Sequence, residues 1–171
     1  MARPTSGSFH PIYQQGYIDA AVGETIQELI ANHSEGIDAF YASIPLDKGD
    51  YAYAERKWTV KQLLQHVIDT ERILTYRALC ISRGEKAALP GFDEDSYAAN
   101  ATAIERNIEG LIEELLALRK STNLLLLSFT EDQLEQVGNA NGYSTTVNAI
   151  CFIIFGHLLH HQQILKERYL C

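Results

Sequence analysis

The fold is decided by a stretch near the end of the chain, ICFIIFGHLLHHQQIL, which covers residues 150–165. We expect it to lie in a long helix that starts after Ser144 and continues to about Tyr169. His157 and His161 are four residues apart, so in a helix they project from one face, about one turn apart. Because the surrounding residues are apolar, this face is expected to point toward the protein interior.

Two earlier segments also have the spacing of apolar residues that is typical of helices. The first runs from about residue 23 to residue 43 and is ended by Pro45, which interrupts the helical hydrogen bonds. The second begins after Thr59, a good N-cap residue, and runs to about Arg83. Each is long enough to form one side of a helical bundle.

A third long helix is predicted to begin near Ser96 or Thr102 and to end at about Ser128. Thr102 is followed three residues later by a glutamate, which fits a capping box. The sequence 130–133 fits the same pattern and predicts a short extra helix, and residues 138–142 form a turn-rich break. No run alternates with a period of two, so no strand is expected. The sequence therefore predicts an all-α fold, a four-helix bundle with a short extra helix between its third and fourth long helices.

Composition limits the class of protein. With 171 residues, 46% of them apolar, the chain is expected to form a single domain over residues 1–171, with residues 1–20 as an N-terminal arm. The net charge of −8 argues against nucleic acid or an anionic membrane as a partner. No signal peptide or membrane span is visible, and the three cysteines show no metal or disulfide pattern, so a cytoplasmic location is expected. These cysteines are Cys80, Cys151 and Cys171.

Three histidines are candidate metal ligands. His66 lies in the middle of the second long helix, as His157 and His161 lie in the last one. Imidazole nitrogen is a good ligand for Zn²⁺, and three protein ligands with an open fourth position are usual in catalytic zinc sites. A metal there could lower the pKa of a bound water to about 7. The spacing is equally compatible with a hydrogen-bonded histidine pair or with a solvated stripe.

Two neighbours of these histidines are candidates for supporting roles. Asp69 comes three residues after His66 and could orient a ligand or act as a general base. A surface salt bridge from Asp69 to Arg72 or Arg56 is an equally good explanation for the aspartate at this position. His160 is turned by about 60° or more from both other histidines of the last helix, which favours an interface, supporting or surface position.

Three stretches, taken together, resemble a known family. They are KWTVKQLLQHVIDTER at residues 57–72, Arg77-Ala-Leu followed by LPGFD at 89–93, and GHLLHH at 156–161 leading to Arg168-Tyr. In this order they are similar to DinB-like proteins of the YfiT type. The resemblance covers nearly the whole chain and is therefore more specific than two histidines four residues apart.

The resemblance implies a four-helix bundle, often dimeric, in which one histidine of the second helix and two of the last bind Zn²⁺ or Ni²⁺. In this sequence those residues are His66, His157 and His161. Family members are described as metal-dependent hydrolases. Relatives include transferases that activate a low-molecular-weight thiol such as bacillithiol or mycothiol.

The expected function is therefore that of a metal-dependent hydrolase or a thiol S-transferase that acts on a small molecule. The alternative is a non-catalytic module in which the metal stabilises the bundle or the site binds a small ligand. A thiol cofactor would need cationic groups for its carboxylates, and Arg72, Arg77 and Lys57 lie on or beside the second helix. A homodimer is expected, because four long helices carry more apolar residues than one bundle interior is expected to cover.

Overall fold

A computed structural model of the chain describes residues 3–5 and 9–171. Within that part of the chain, four long helices and three short ones account for most of the structure, and the long ones pack as a bundle. The predicted all-α four-helix bundle, with its short extra helix before the last long one, is confirmed. In chain order the helices are α1 Gln15–Ala20, α2 Ile26–Ala42, α3 Val60–Ser82, α4 Glu94–Asn100, α5 Ile108–Leu127, α6 Glu131–Glu135 and α7 Val147–Ile164.

Capping side chains fix where the helices begin. The Thr59 hydroxyl accepts a hydrogen bond from the backbone N–H of Gln62, and the Gln62 side chain accepts one from the backbone N–H of Thr59. This capping box starts α3 as predicted. Thr130 and Gln133 form the same arrangement at α6, and Thr146 caps α7.

The long helices are not arranged in chain order around the bundle. Helix α2 packs against α5 and α7, and α3 packs against the same two helices. The consecutive helices α2 and α3 therefore occupy opposite corners, and α7 lies between them. As a result, α3 and α7 meet along their lengths although about 90 residues of sequence separate them.

The predicted start of the third long helix was wrong. The segment splits into the short helix α4 and the long helix α5, with a single 3₁₀ turn, Ala103–Glu105, between them. Thr102 has a left-handed backbone (φ 50°) and its side chain caps nothing. Asn107 caps α5 instead, because its side-chain oxygen accepts the backbone N–H of Gly110 at 2.7 Å.

The expectation of no strands was also wrong. Two short antiparallel strands, β1 Val137–Ala140 and β2 Tyr143–Thr146, form a hairpin in the predicted turn-rich break. Its two turn residues, Asn141 and Gly142, both have positive φ (54° and 79°), as a tight type I′ hairpin turn requires. Leu89 pairs with this hairpin through hydrogen bonds to Asn139 and Asn141, so the hairpin holds the loop that follows α3.

The N-terminal arm contains a helix that joins the bundle. Helix α1 packs along α7, and the Arg3 guanidinium donates to the backbone oxygens of Ile18 and Ala21 at its C-terminal end. The Ile18 carbonyl also accepts the backbone N–H of Ala21, so the Arg3 guanidinium adds a second donor at the end of the helix. The boundaries of a single domain over residues 1–171 remain a prediction. No helix within the described residues combines the length and the apolar character needed to cross a bilayer.

A buried ion pair links α3 to α5. Arg119 Nη1 lies 2.9 Å from Glu71 Oε1, and both side chains are almost fully buried. The Thr122 hydroxyl donates to the same carboxylate oxygen at 2.6 Å. The Arg119 guanidinium also lies over the Phe155 ring, 4.6 Å from its centroid. We call these four residues the ion-pair cluster.

Candidate metal centre

The position of His66 follows from the start of α3. The capping box at Thr59 fixes the first turn, and His66 lies nearly two turns later on the side of α3 that faces α7. The Trp58 ring, just before the helix, lies against the His66 ring with 4.9 Å between centroids. Tyr169 donates from its hydroxyl to the Trp58 backbone oxygen at 2.9 Å, so the C-terminal turn holds Trp58 in place.

The pair on α7 is positioned by close helix packing. His157 and His161 lie one turn apart on α7, with 4.4 Å between ring centroids. A Cβ added to Gly156 would overlap the backbone carbonyl of Tyr17, so only glycine lets α1 approach α7 this closely. The Tyr17 ring then contacts the rings of His157 and His160, at centroid distances of 5.7 and 5.4 Å.

The three predicted ligand residues come together. His66 Nε2 and His161 Nε2 each lie 3.1 Å from His157 Nε2, and the three candidate ligand atoms all lie within 4.8 Å of one another. Zn–N bonds of about 2.0–2.1 Å in a tetrahedral site place two ligand nitrogens about 3.3 Å apart. The two distances of 3.1 Å to His157 Nε2 agree with this value to within a few tenths of an ångström.

Hydrogen bonding alone cannot satisfy this arrangement. The Nε2 of a neutral imidazole has either one proton or one lone pair. His157 Nε2 can therefore form a proper hydrogen bond with only one of its two close neighbours. A cation at the centre accepts all three lone pairs at once. The donor set thus fits a divalent metal ion with imidazole ligands.

Burial keeps the three rings neutral and available as ligands. The exposed fractions of His66, His157 and His161 are 8%, 6% and 8%. Burial lowers the pKa of His66 to about 4 and that of His161 to about 3. It also lowers the pKa of His157 well below its ordinary value, and His161 and His66 beside it act in the same direction. Neutral imidazole is the form that binds a metal.

The histidines form one end of a cavity of about 360 Å³. Trp58, Tyr17 and Ile153 contribute aromatic and apolar wall. His160 lies at the edge of the cavity, mostly exposed, beside the ring of His161. The cavity gives a small molecule a route to the three histidines, as a site with an open coordination position requires.

The structure does not bring Asp69 to this cavity. Its carboxylate accepts a hydrogen bond from the Gln65 side chain at 2.9 Å and lines a separate groove beside Tyr97. Burial raises the pKa of Asp69. Neither predicted salt bridge forms, since Arg72 pairs with Glu114 and Arg56 with its neighbour Glu55. A general-base role for Asp69 remains a sequence prediction.

Thr70, Arg77 and Glu94 are polar residues that line the cavity. Sequence reasoning named Arg77 as a candidate cation for a thiol cofactor, but it did not single out Thr70 or Glu94. At about 100° per residue, Thr70 and Arg77 follow His66 on nearly the same face of α3, so spacing could have placed both of them. Glu94 follows a loop, and no spacing rule places it. Of the other predicted cations, Lys57 is exposed, and neither it nor Arg72 lines the cavity.

Comparison with known proteins supports the fold and shows the family. Residues 19–165 match the family model of the DinB superfamily. The chain is 25% identical over 116 residues to a protein of Oceanobacillus iheyensis named "Putative metal-dependent hydrolase OB0413". That alignment covers 67% of this chain and 66% of the relative, so the chain spans just under two thirds of its length.

Two solved structures share the fold. YfiT from Bacillus subtilis, described as a probable metal-dependent hydrolase with an unusual four-helix bundle topology, superposes with a TM-score of 0.71 at 17% identity. The match covers 96% of this chain and 90% of YfiT. The DinB-like protein YjoA of B. subtilis superposes with a TM-score of 0.55 at 19% identity, over 82% of this chain and 85% of YjoA.

Proposed function

The chain belongs to the DinB superfamily, and from this premise we propose that it is a metal-dependent hydrolase of small molecules. His66, His157 and His161 would hold one divalent cation. The observation that carries the proposal is the convergence of three neutral, buried imidazoles on one point at the end of a cavity. The name of the Oceanobacillus relative points to the same class of reaction.

Zn²⁺ is the proposed metal, with Ni²⁺ as the second choice. Zn²⁺ accepts three nitrogen ligands with tetrahedral geometry, to which the 3.1 Å spacings are close. When bound, it would act as a Lewis acid toward an oxygen or sulfur donor at its open position. The buried histidines would hold it away from bulk water, where electrostatic effects are stronger.

The protein groups around the cation would bind the substrate and handle protons. Trp58, Tyr17 and Ile153 supply an apolar wall against which a small organic molecule can pack. Of the described residues that line the cavity, Glu94 is the one with a carboxylate. It begins α4, at the edge of the cavity, and we propose it as the group that accepts or returns a proton during hydrolysis.

A panel assay tests the proposal. Chelator-treated protein is reloaded with Zn²⁺ and offered small esters, lactones and acylated amino acids. We expect saturable hydrolysis of at least one substrate class, lost on chelation and reduced at least about 100-fold in His66→Ala. His10→Ala is the matched control, because His10 bonds Gln15 outside the cavity.

The same assay separates the remaining functions. A second panel supplies a low-molecular-weight thiol, such as bacillithiol, together with an electrophile. Turnover only in this panel would replace hydrolase by S-transferase, since a metal stabilises a thiolate as well as an oxygen donor. Zinc bound at one ion per chain with no turnover in either panel would favour the non-catalytic module.

A homodimer remains a proposal that rests on the exposed apolar side chains of α5. Leu124 and Leu127 are 64% and 46% exposed. Burying such side chains against a second copy would remove them from water. Light scattering at micromolar concentration checks this, and a mass of one chain would contradict it.

A further inference from the structure

One face of α3 runs along the whole cavity. His66, Thr70, Leu74 and Arg77 all line it. Their spacings of four, eight and eleven residues turn the helix by about 40°, 80° and 20° from His66, so the four side chains form a stripe. The Cα atoms of His66 and Arg77 are about 16 Å apart along the helix axis, and the Cα–Cβ bond of a helical residue tilts toward the helix N-terminus, on the side where His66 lies.

Arg77 differs from the other buried basic residues. Lys61, Arg77 and Arg119 all have exposed fractions of 7% or less. Lys61 lies 2.7 Å from a carboxylate oxygen of Asp50, and Arg119 pairs with Glu71. None of the ion pairs between described residues includes Arg77. Burying a charge without a partner is costly, and an unpaired guanidinium in a cavity suggests a ligand that supplies the counter-charge.

The surrounding loops hold this guanidinium in place. Arg77 Nη2 donates to the backbone oxygen of Pro90 at 2.7 Å. The hairpin pairs with Leu89, and Asn141 at its turn lines the cavity beside Arg77. Thr70, two turns before Arg77 on the same stripe and one turn after His66, has a buried hydroxyl that bonds no described group. This end of the cavity is therefore polar, fixed in position and positively charged.

We propose that Arg77 binds a carboxylate of the substrate, so that the cavity recognises a small molecule at two points, the metal at one end and the guanidinium at the other. This inference rests on the proposed metal-dependent function and names its substrate class. A monoanionic carboxylate suits the site better than a phosphate dianion, because Glu94 also lines the cavity and would repel the second charge. The planar guanidinium matches a carboxylate with two parallel hydrogen bonds.

Calorimetric binding of simple probes to the zinc-loaded protein tests the proposal. The probes are ω-mercapto carboxylic acids of increasing chain length, each paired with the carboxamide of equal length. The thiol is a ligand for Zn²⁺, and only the acid offers a charge to Arg77. We expect the acid to bind about tenfold or more tightly than its amide at one optimal length.

Variants identify the residue responsible. Arg77→Met is expected to abolish the preference for the acid while the amide and Zn²⁺ bind as before. Arg77→Lys keeps the positive charge but loses the planar guanidinium that forms two parallel hydrogen bonds. The ratio of acid affinity to amide affinity should therefore fall at least about threefold but stay above one. This second variant gives the answer if Arg77→Met does not fold. Arg72→Met is the matched control, because Arg72 lies on the same helix but pairs with Glu114. This variant should prefer the acid over the amide as strongly as the unmodified protein does.

The possible outcomes distinguish a failure of this inference from a failure of the proposed metal-dependent function. If one zinc ion binds per chain but acid and amide bind equally tightly at every chain length, only the proposed role of Arg77 is contradicted. A preference that survives in Arg77→Met and Arg77→Lys would contradict the same role. Absence of zinc binding in the unmodified protein would overturn both proposals. Phosphonic acid probes that outbind the carboxylic acids would overturn the choice of carboxylate.

Discussion

Helix α3 carries two buried polar sites that differ in one respect. In the ion-pair cluster, Arg119 supplies the charge opposite to that of Glu71, and Thr122 donates to the same carboxylate oxygen. At the metal centre, His66 meets two more imidazoles, which offer lone pairs to one another and no charge. In the first site opposite charges are paired within the protein, although Glu71 Oε2 and Arg119 Nε bond no described group. In the second site three like donors face one another, an arrangement that fits a cation. The difference teaches that buried polar groups indicate a ligand site when they are all of one kind, as three imidazoles are. Groups of opposite charge, such as a carboxylate and a guanidinium, bind each other instead.

Breaking the ion-pair cluster should have the largest effect on stability. Arg119→Ala leaves the Glu71 carboxylate buried and unpaired, and we expect the free energy of unfolding to fall by about 3–5 kcal/mol. Urea denaturation measures this. The double variant Glu71→Met with Arg119→Met should recover most of the loss, because packing replaces the pair. A double variant as unstable as Arg119→Ala would contradict the view that the cluster is self-contained.

Zinc bound at the metal centre should stabilise the folded protein by an amount comparable to the effect of breaking the ion-pair cluster. At free Zn²⁺ about 100 times above its dissociation constant, we expect the free energy of unfolding to rise by about 2.7 kcal/mol. Arg119→Ala should retain this increment, because the ion-pair cluster lies outside the cavity, and His66→Ala should lose it. Equal increments in the unmodified protein and His66→Ala would mean that Zn²⁺ binds elsewhere.

Gly156 tests how far the metal centre depends on α1. Gly156→Ala introduces a Cβ where the Tyr17 carbonyl lies, so α1 must shift away from His157. We expect a loss of about 1–3 kcal/mol in unfolding free energy together with weaker zinc binding. Gly36→Ala is the matched control on α2, where a Cβ meets nothing within 4 Å and should stabilise by up to about 1 kcal/mol. Destabilisation by both would point to a general effect of the substitution.

The smallest effect is expected at Asp69, outside both sites. Asp69→Asn keeps a side-chain oxygen that can accept the hydrogen bond from Gln65. We expect the zinc dissociation constant to change by less than about twofold, because the carboxylate does not reach the cavity. Isothermal titration measures this. A change of tenfold or more would restore Asp69 as a residue that supports the metal ligands.

Local signals predicted the helices on which the three histidines lie. The capping residue Thr59 fixed the register of α3, and the four-residue spacing of His157 and His161 fixed their common face. Which helices face each other was not readable from periodicity, because α2 and α3 lie at opposite corners of the bundle. The convergence of His66 with the pair on α7 therefore came from the family resemblance.

Other features depended on tertiary contacts that short patterns do not report. Thr102 fits a capping box, but residues 103–105 form a 3₁₀ turn whose Ile104 carbonyl accepts a hydrogen bond from the Lys61 ammonium. Helix α5 therefore starts later, at Ile108, with Asn107 as its cap. The four-residue hairpin strands are too short to show alternation, although Asn141 followed by glycine is a hairpin signal. The buried pair of Glu71 with Arg119 was not predicted either, because no sequence spacing relates a residue of α3 to one of α5.

Zinc titration of alanine variants at the four histidines of α3 and α7 tests the central claim most directly. Chelator-treated protein is titrated with Zn²⁺, and the dissociation constant is measured for alanine variants of each histidine. The account predicts one ion per chain, bound at least about 100-fold more weakly in His66→Ala, His157→Ala and His161→Ala, and with nearly unchanged affinity in His160→Ala. Tight binding that survives loss of any one of the first three histidines would contradict it.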